Sequence, residues 1–517
     1  MYPATFADTS PKRPAAISAQ TGETVTFGQL DERSARLAGL FRAHGLQVGD
    51  AVAVYLENHL SYFEVAWAAL RSGLYMVTVS RHATADDVAY VIADSGAKAV
   101  VTSTTLVETA ERCLAHTPNC RLRLLVGDDL PGWTSLASAR DSAERIAIAD
   151  ECKGDHMPYS SGTTGKPKGI KRPLEPGHPS EGFSHFAPAQ ALYGMDEQTV
   201  YLSPAPLYHT APIQFCLRVQ AAGGQVVMME RFDPESALAA IETHKVTHSQ
   251  WVPTMFVRML KLPQDRRDAF TLSSHRCAIH AAAPCPVEVK REMIEWWGPI
   301  IEEYYAGSER NGSTRINSEE WLRKPGSVGR PSNCEIHICD EDGGELPTGE
   351  AGAIYFESPM ASFVYHNDSD KTNNSRHPKN PSWSTLGDVG YVDADGYLFL
   401  TDRKSFMIIS GGVNIYPRII EDALIVHPEV ADVAVIGVPN EEFGEEVKAI
   451  VEPAEGSQPG AELEARIIEH ARNKLAHYMV PRSVDFLAEM PRLPTGKLPK
   501  RVLREPYWQN KGGVARI

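Results

Sequence analysis

The stretch YSSGTTGKPKGI, Tyr159 to Ile170, holds nine Ser, Thr, Gly and Lys residues in twelve positions. Such a composition packs no core. Its glycines let backbone approach a ligand closely, its hydroxyls and N–H groups donate hydrogen bonds, and its lysines bring positive charge, which together is the chemistry of holding phosphate. The stretch is not a Walker A loop: two residues, not four, separate Gly162 from Gly165, and Pro167 follows Lys166 where Ser or Thr would stand. Pro167 removes an N–H and disfavours helix at Lys166, so no helix begins there. What remains is a loop ending in Lys168, suited to the β- and γ-phosphates of a nucleotide. A surface linker is the alternative, but flexible linkers rarely interleave lysines with Thr-Thr-Gly.

A formal net charge of −15 over 517 residues argues against nucleic acid or an anionic membrane as partner. An anionic ligand must then be held by a local basic group, and Lys166, Lys168, Lys171 and Arg172 form one. No apolar run approaches the roughly 20 residues that span a bilayer. The N-terminal residues lack the basic-then-apolar order of a secretory signal, and GGVARI at the other end is no peroxisomal address. Eight cysteines without a CxxC pair point to reduced thiols and a cytoplasmic location. HRCAIHAAAPC (His275 to Cys285) lacks two-plus-two metal spacing and reads as small buried residues, not a zinc site.

The elements that must position the loop alternate. In TVTFGQLDERSARLAGLFRAHG, Thr26 and Gln29 form a capping box, Leu30, Leu37, Leu40 and Phe41 an apolar stripe, and Gly45 a stop. DAVAVYL follows as a buried strand, LSYFEVAWAALRSG as a helix and LYMVTVS as a strand; ATADDVAYVIADSG and KAVVTS repeat the unit. This predicts an α/β fold, a largely parallel sheet covered by helices, with ligands beyond the strand ends. GYVDADGYLFLTD carries a hairpin signature at Asp395-Gly396. After it the pattern changes to a compact α+β unit, so the chain divides near Asp402 into an N-terminal domain, 1–401, and a C-terminal domain, 402–517.

YSSGTTGKPKG resembles the phosphate loop of the acyl-adenylate-forming superfamily, which includes acyl-CoA synthetases, adenylation domains of peptide synthetases and beetle luciferases. PLYHTAP (206–212), AAAP (281–284), YYAGSE (304–309), LGDVGYVDADGYLFLTDR (386–403) and PTGK (494–497) follow in the family's order, over nearly the whole chain. The resemblance implies a large α/β domain of layered sheets and helices plus a small mobile C-terminal α+β domain. It also implies a two-step reaction with ATP, Mg²⁺ and coenzyme A, in which a carboxylic acid becomes acyl-AMP and then acyl-CoA. In that scheme Ser160, Ser161, Gly162, Thr163, Thr164, Gly165 and Lys168 hold phosphates, and Glu309 with Thr164 serves the metal. Lys497 bridges carboxylate and α-phosphate. Asp388 takes the ribose hydroxyls with Arg403 beside it, while Ala282, Ala283, Pro284, Glu303, Tyr304, Tyr305 and Ser308 surround the nucleotide. Gly411 and Gly412 face the pantetheine arm, and Asp402 is the hinge. His209 stands near the acyl group, and Trp251, Met255, Gly307 and Val328 complete an apolar acid pocket.

Taken singly, such charges are ordinary surface residues, and PLYHTAP could enclose a core histidine. Their order favours function. The chain departs from the family's pattern at Ala306, at Ser308 (a hydroxyl retained where Thr is usual), at Ser405 where a lysine is usual, and at Glu303 where Gln or Asp is common. Small-molecule acid, ATP and CoA are the expected partners, with neither nucleic acid nor a membrane span; a homodimer is the candidate assembly. The alternatives are an acyl-AMP ligase that loads a carrier protein and a nucleotide-binding regulator without catalysis.

Overall fold

The computed structural model describes residues 2–114, 116–144, 151–160, 166–359, 363–403, 406–492 and 498–508, with backbone alone at Leu114, Asp402, Arg403 and Asn414. The chain forms two compact units. The first takes residues 1–251, 262–279 and 362–373, and the second takes 252–261, 280–361 and 374–517.

The first unit contains the predicted parallel sheet. Its strands run in the order Thr134–Ser135, Leu122–Val126, Ala99–Ser103, Ala51–Tyr55, Tyr75–Thr78 and Asp155–His156, all parallel. Ala51–Tyr55 is buried at every position, as a strand covered on both faces must be. The crossover helices carry the expected stops and starts. Thr26 caps Phe27–Ala43 in a capping box with Gln29, Thr84 does the same for Ala85–Ser95 with Asp87, and Gly96 ends the latter in the left-handed region. A second sheet lines up His248–Trp251, Val200–Ser203, Gln225–Met228 and Pro14–Ser18 in parallel, with Thr24–Thr26 antiparallel at the edge. Behind them an ion-paired cluster is buried: Arg71 Nη1 lies 2.8 Å from Asp31 Oδ1 and its Nη2 lies 2.9 Å from Glu151 Oε1. A small third sheet, Val364–Tyr365, Lys168–Lys171 and Tyr159–Ser160, carries the two ends of the Ser/Gly/Thr loop.

In the second unit the sheet is antiparallel: Glu335–Cys339, Gly352–Glu357, Asp388–Val392, Leu398–Arg403, Ser327–Ser332, Ser313–Asn317 and Ile301–Ala306, in that order, with Trp383–Ser384 beside Gly352–Glu357. The hairpin read at Asp395-Gly396 joins Asp388–Val392 to Leu398–Arg403, with Gly396 at φ 81°. Val328, Ile338, Ile354, Phe356 and Leu398 fill one face of this sheet. The C-terminal part is a five-stranded sheet built on the long hairpin Val430–Asn440/Gly444–Pro453, packed by helices Pro417–Leu424 and Ala461–Lys474 around Ile420, Val433, Val451 and Ile467.

All eight cysteines are free thiols, six of them buried. Among the described residues the tightest backbone approach around a glycine is at Gly329, φ 98°, where an added Cβ would lie 1.9 Å from the Arg315 carbonyl oxygen on the neighbouring strand. Gly329→Ala should therefore break the pairing of Ser313–Asn317 with Ser327–Ser332, costing about 3 kcal/mol or more. Calorimetry should show a lowered melting transition; an unchanged one would mean the strands tolerate a side chain there.

Candidate active site

The strand Ile301–Ala306 alternates inward and outward positions, and it places a carboxylate on the inward side. Glu303 is 5% exposed, a position that an ionised group occupies only when paired. Its partner is Lys290 on helix Val287–Trp297, fully buried, with Nζ 2.5 Å from Glu303 Oε2 and 4.9 Å from the Trp321 ring centre. Burial pushes the Glu303 carboxyl up, but the Lys290 ammonium overrides it and the net shift is downward. His280 Nε2 lies 3.5 Å from the same oxygen. Burial pulls this imidazole down to about 3, so it is neutral near pH 7 and Lys290 supplies the balancing charge. From the same strand Glu302 accepts a 3.0 Å hydrogen bond from Arg315 Nε, and the Tyr305 hydroxyl donates to Asp388 Oδ2 at 2.6 Å.

Beyond the strand the chain turns through Gly307, Ser308 and Glu309, all half-buried. A Cβ on Gly307 would meet Leu386 Cδ2 at 2.4 Å and Glu309 Oε2 at 2.5 Å, so the Glu309 carboxylate folds back over the bare glycine. Arg310 follows in the left-handed region at φ 56° and donates its N–H to Gly307 O at 3.2 Å. Asn311, fully buried, ties the turn down through Nδ2 to the carbonyl (3.3 Å) and hydroxyl (3.1 Å) of Ser384. Lys290 and Asn311 carry no motif of their own, and sequence reasoning passed over both; a buried cation opposite Glu303 was the available signal.

Asp388, 8% exposed, sits directly across the strand pair from Arg403. Asp402 is in the same strand, opposite Val389. Arg418, at the start of helix Pro417–Leu424, donates from Nη1 to Leu400 O at 2.9 Å. Ala282 adopts φ 76°, a left-handed backbone that costs an alanine free energy and clusters at functional sites; Ala283 is half-buried and Pro284 exposed. Gly411 and Gly412 have φ 56° and 79° and link Ile408–Ser410 to Val413–Ile415 as a two-residue hairpin turn with both residues at positive φ. Of the expected acid-pocket residues in this unit, Met255 lies on helix Pro253–Leu260 and is 4% exposed. Val328, also buried, packs in the sheet core against which Tyr305 rests.

In the first unit Ser160 pairs with Lys168 across the strands Tyr159–Ser160 and Lys168–Lys171. Three motif lysines lie over tyrosine rings: Lys166 over Tyr90 at 4.8 Å, Lys168 over Tyr365 at 5.0 Å and Lys171 over Tyr75 at 4.9 Å. Such cation–π contacts hold an ammonium in place while leaving it charged. Arg172 departs from the sequence reading. It is buried, with Nε 3.0 Å from Asp155 Oδ2 and Nη2 donating to His156 O at 2.8 Å, and so belongs to the scaffold and not to an anion-holding group. His209 caps helix Thr210–Ala221 by position, half-buried, its ring 4.3 Å from that of Tyr208. Trp251 is buried and donates from Nε1 to Ser249 Oγ at 2.6 Å, which in turn meets His275 Nε2 at 2.6 Å. Ser161, Gly162, Thr163, Thr164, Gly165 and Lys497 lie outside the described residues.

Two family models match this chain. Residues 4–366 match the family model described as AMP-binding enzyme, and residues 419–497 match that of the AMP-binding enzyme C-terminal domain. The long-chain-fatty-acid–CoA ligase FadD13 of Mycobacterium tuberculosis is 31% identical over 97% of both chains, and a feruloyl-CoA synthase of Amycolatopsis sp. is 32% identical over 94% of both. The o-succinylbenzoate CoA synthetase MenE of Bacillus subtilis, solved in complex with the acyl-adenylate intermediate OSB-AMP, superposes with a TM-score of 0.80 at 26% identity, covering 99% of this chain and 98% of that one.

The Glu303–Lys290 pair makes a testable claim. Lys290→Met leaves a buried carboxylate uncompensated and should cost about 3–5 kcal/mol, whereas Lys290→Met combined with Glu303→Gln should recover most of the loss. Because the folded carboxyl is held below its ordinary value, the pair's contribution is full above a pH of about 4.3 and fades as acid protonates Glu303. Denaturant titrations should therefore show wild type losing stability as acid protonates Glu303 and leaves the buried Lys290 ammonium unpaired, while the double variant, which carries neither charge, shows no such loss. A single variant as stable as the double one would refute the pairing.

Proposed function

The chain belongs to the AMP-binding enzyme family, and we propose that it is an ATP-dependent carboxylic acid–CoA ligase acting on a hydrophobic fatty, aryl or polycyclic acid. The observation that carries the reading is the Tyr305–Asp388 hydrogen bond with Arg403 in cross-strand register. It fixes a carboxylate beside an aromatic side chain, an arrangement suited to ribose hydroxyls and a nucleobase. The CoA-ligase names of the relatives that align over nearly the full chain support the same reaction.

In the first step the acid's carboxylate oxygen attacks the α-phosphorus of ATP and the bond to pyrophosphate breaks, giving acyl-AMP. In the second the CoA thiol loses its proton, its sulfur attacks the acyl carbon and AMP leaves. The lysines at 166 and 168 supply positive charge where phosphate charge accumulates. Mg²⁺, when bound, offsets charge on the transferring phosphate. Glu309, a hard oxygen donor turned over Gly307, suits that ion, with Thr164 as its companion. Lys497 serves the adenylation step, and residues 402–517 then turn about Asp402 to bring Gly411 and Gly412 to the pantetheine arm. His209, Trp251, Met255, Gly307 and Val328 are the residues we assign to the acid pocket. No helix among the described residues is long and apolar enough to cross a membrane; we place the enzyme in the cytoplasm, its dimeric state to be read by light scattering.

Mass spectrometry of reactions containing ATP, Mg²⁺, CoA and a panel of acetate, fatty, aryl and steroid-type acids should show an acyl-CoA. Acyl-AMP alone for every acid, later captured by a carrier protein, would replace CoA as acceptor. Lys497→Ala should lose about 10²–10³ in adenylation rate yet convert supplied acyl-AMP and CoA at near wild-type speed. Equal damage to both halves would overturn the domain rotation, and wild-type speed in both would remove Lys497 from the site.

A further inference from the structure

On the second unit's antiparallel sheet, Glu335 of strand Glu335–Cys339 stands directly opposite Glu357 of strand Gly352–Glu357. His337, two residues from Glu335, shares that face. The intervening Ile336 and Ile338 point to the core with Ile354 and Phe356. Like charges placed directly across a strand pair repel, so the outward face carries an electrostatic defect unless a cation sits over it. The ligand atoms of Glu335, His337 and Glu357 all lie within 4.8 Å of one another. We propose that these three residues form a binding site for a divalent transition metal ion of the Zn²⁺ type, separate from the residues assigned to ATP and its Mg²⁺.

The histidine argues for a metal as much as the charges do. Its ring lies flat against Trp383, centroids 3.6 Å apart and planes 6° from parallel, so its direction is fixed. Nδ1 contacts Glu345 Oε1, and a proton placed on Nδ1 by that contact would leave the Nε2 lone pair for a metal. Nε2 is buried, has no hydrogen-bond partner, and points to within 3.4 Å of Glu357 Oε2. Glu357 is oriented in turn by a 2.9 Å hydrogen bond from Trp383 Nε1. A carboxylate behind the imidazole and a hydrogen-bonded ligating carboxylate are the usual outer supports of a histidine–metal bond. An ion about 2.0–2.2 Å from each donor needs donors within about 4.4 Å of one another. The exposed Glu335 side chain closes that gap by less than about 1 Å of rotamer adjustment. One imidazole nitrogen with two carboxylates suits Zn²⁺ or its neighbours, whereas Mg²⁺ and Ca²⁺ prefer all-oxygen sites. Three protein donors leave at least one position for water.

Equilibrium dialysis of the full chain, stripped with EDTA and exposed to about 0.1 mM free Zn²⁺ in the presence of millimolar Mg²⁺, tests the site. Wild type should retain one Zn²⁺ equivalent more than the surface variant Glu335→Gln/Glu357→Gln, and its melting temperature should rise by a few degrees with Zn²⁺ where the variant's does not. His337→Gln should lose the same equivalent, and Glu345→Gln should weaken binding about 10–100-fold. Should His337→Gln fold poorly in EDTA, the double glutamine variant decides alone. Equal Zn²⁺ on wild type and on the double variant would overturn the proposal. So would a thermal shift that Mg²⁺ alone reproduces.

Discussion

The buried ion pair between Lys290 and Glu303 ties the strand that leads into the Gly307 turn to the helix that covers it. A carboxylate 5% exposed inside a sheet is tolerable only with its ammonium 2.5 Å away. That requirement locks helix Val287–Trp297 to strand Ile301–Ala306. The strand's register then follows, and with it the outward Glu302 on Arg315 and Tyr305 on Asp388. Everything distal to the strand (the Gly307 turn, the folded-back Glu309, the Asn311 anchor) hangs from an element whose position is set by a charge balance, not by packing alone. The arrangement is costly in desolvation, and its return is rigidity where the chain leaves the sheet at Gly307.

Much of the fold was legible because it rests on local chemistry. The Thr26/Gln29 box, the all-buried run Ala51–Tyr55 and the Asp395-Gly396 hairpin each need only a few neighbouring residues to be read, and each occurs as expected. The motif order also led to the family. Contacts between residues distant in sequence were not legible. Arg172 looked like part of a basic cluster, yet Asp155 claims it from a neighbouring strand. Lys290 belongs to no motif, and only its partner Glu303 explains why it is fully buried. Ala282 gave no sign of its left-handed backbone, because a positive φ is readable in sequence only when glycine marks it. At Gly411-Gly412, by contrast, glycine occupies both positive-φ positions of the turn.

The lysines at 166, 168 and 171 show how a net-negative protein can hold ammonium groups on aromatic faces. Each ammonium rests on a tyrosine face, which steadies it without neutralising it. A carboxylate in the tyrosine's place would hold the lysine more firmly but would compete with the ligand for its charge. Tyrosine faces lie under all three ammonium groups, whereas the Arg172 guanidinium is held by the Asp155 carboxylate.

The cysteines, described above only as free and mostly buried, bear on the fidelity of thioester chemistry. An activated acyl group is attacked by thiolates, not thiols, and the chain's own sulfurs would intercept it if they ionised readily. Burial pushes the Cys113 thiol up to about 11 and those of Cys120 and Cys216 up to about 12. Burial likewise raises Cys285, Cys334 and Cys339 above the ordinary thiol value. The raised values hold these six side chains towards the protonated, weakly nucleophilic form, which disfavours their acylation.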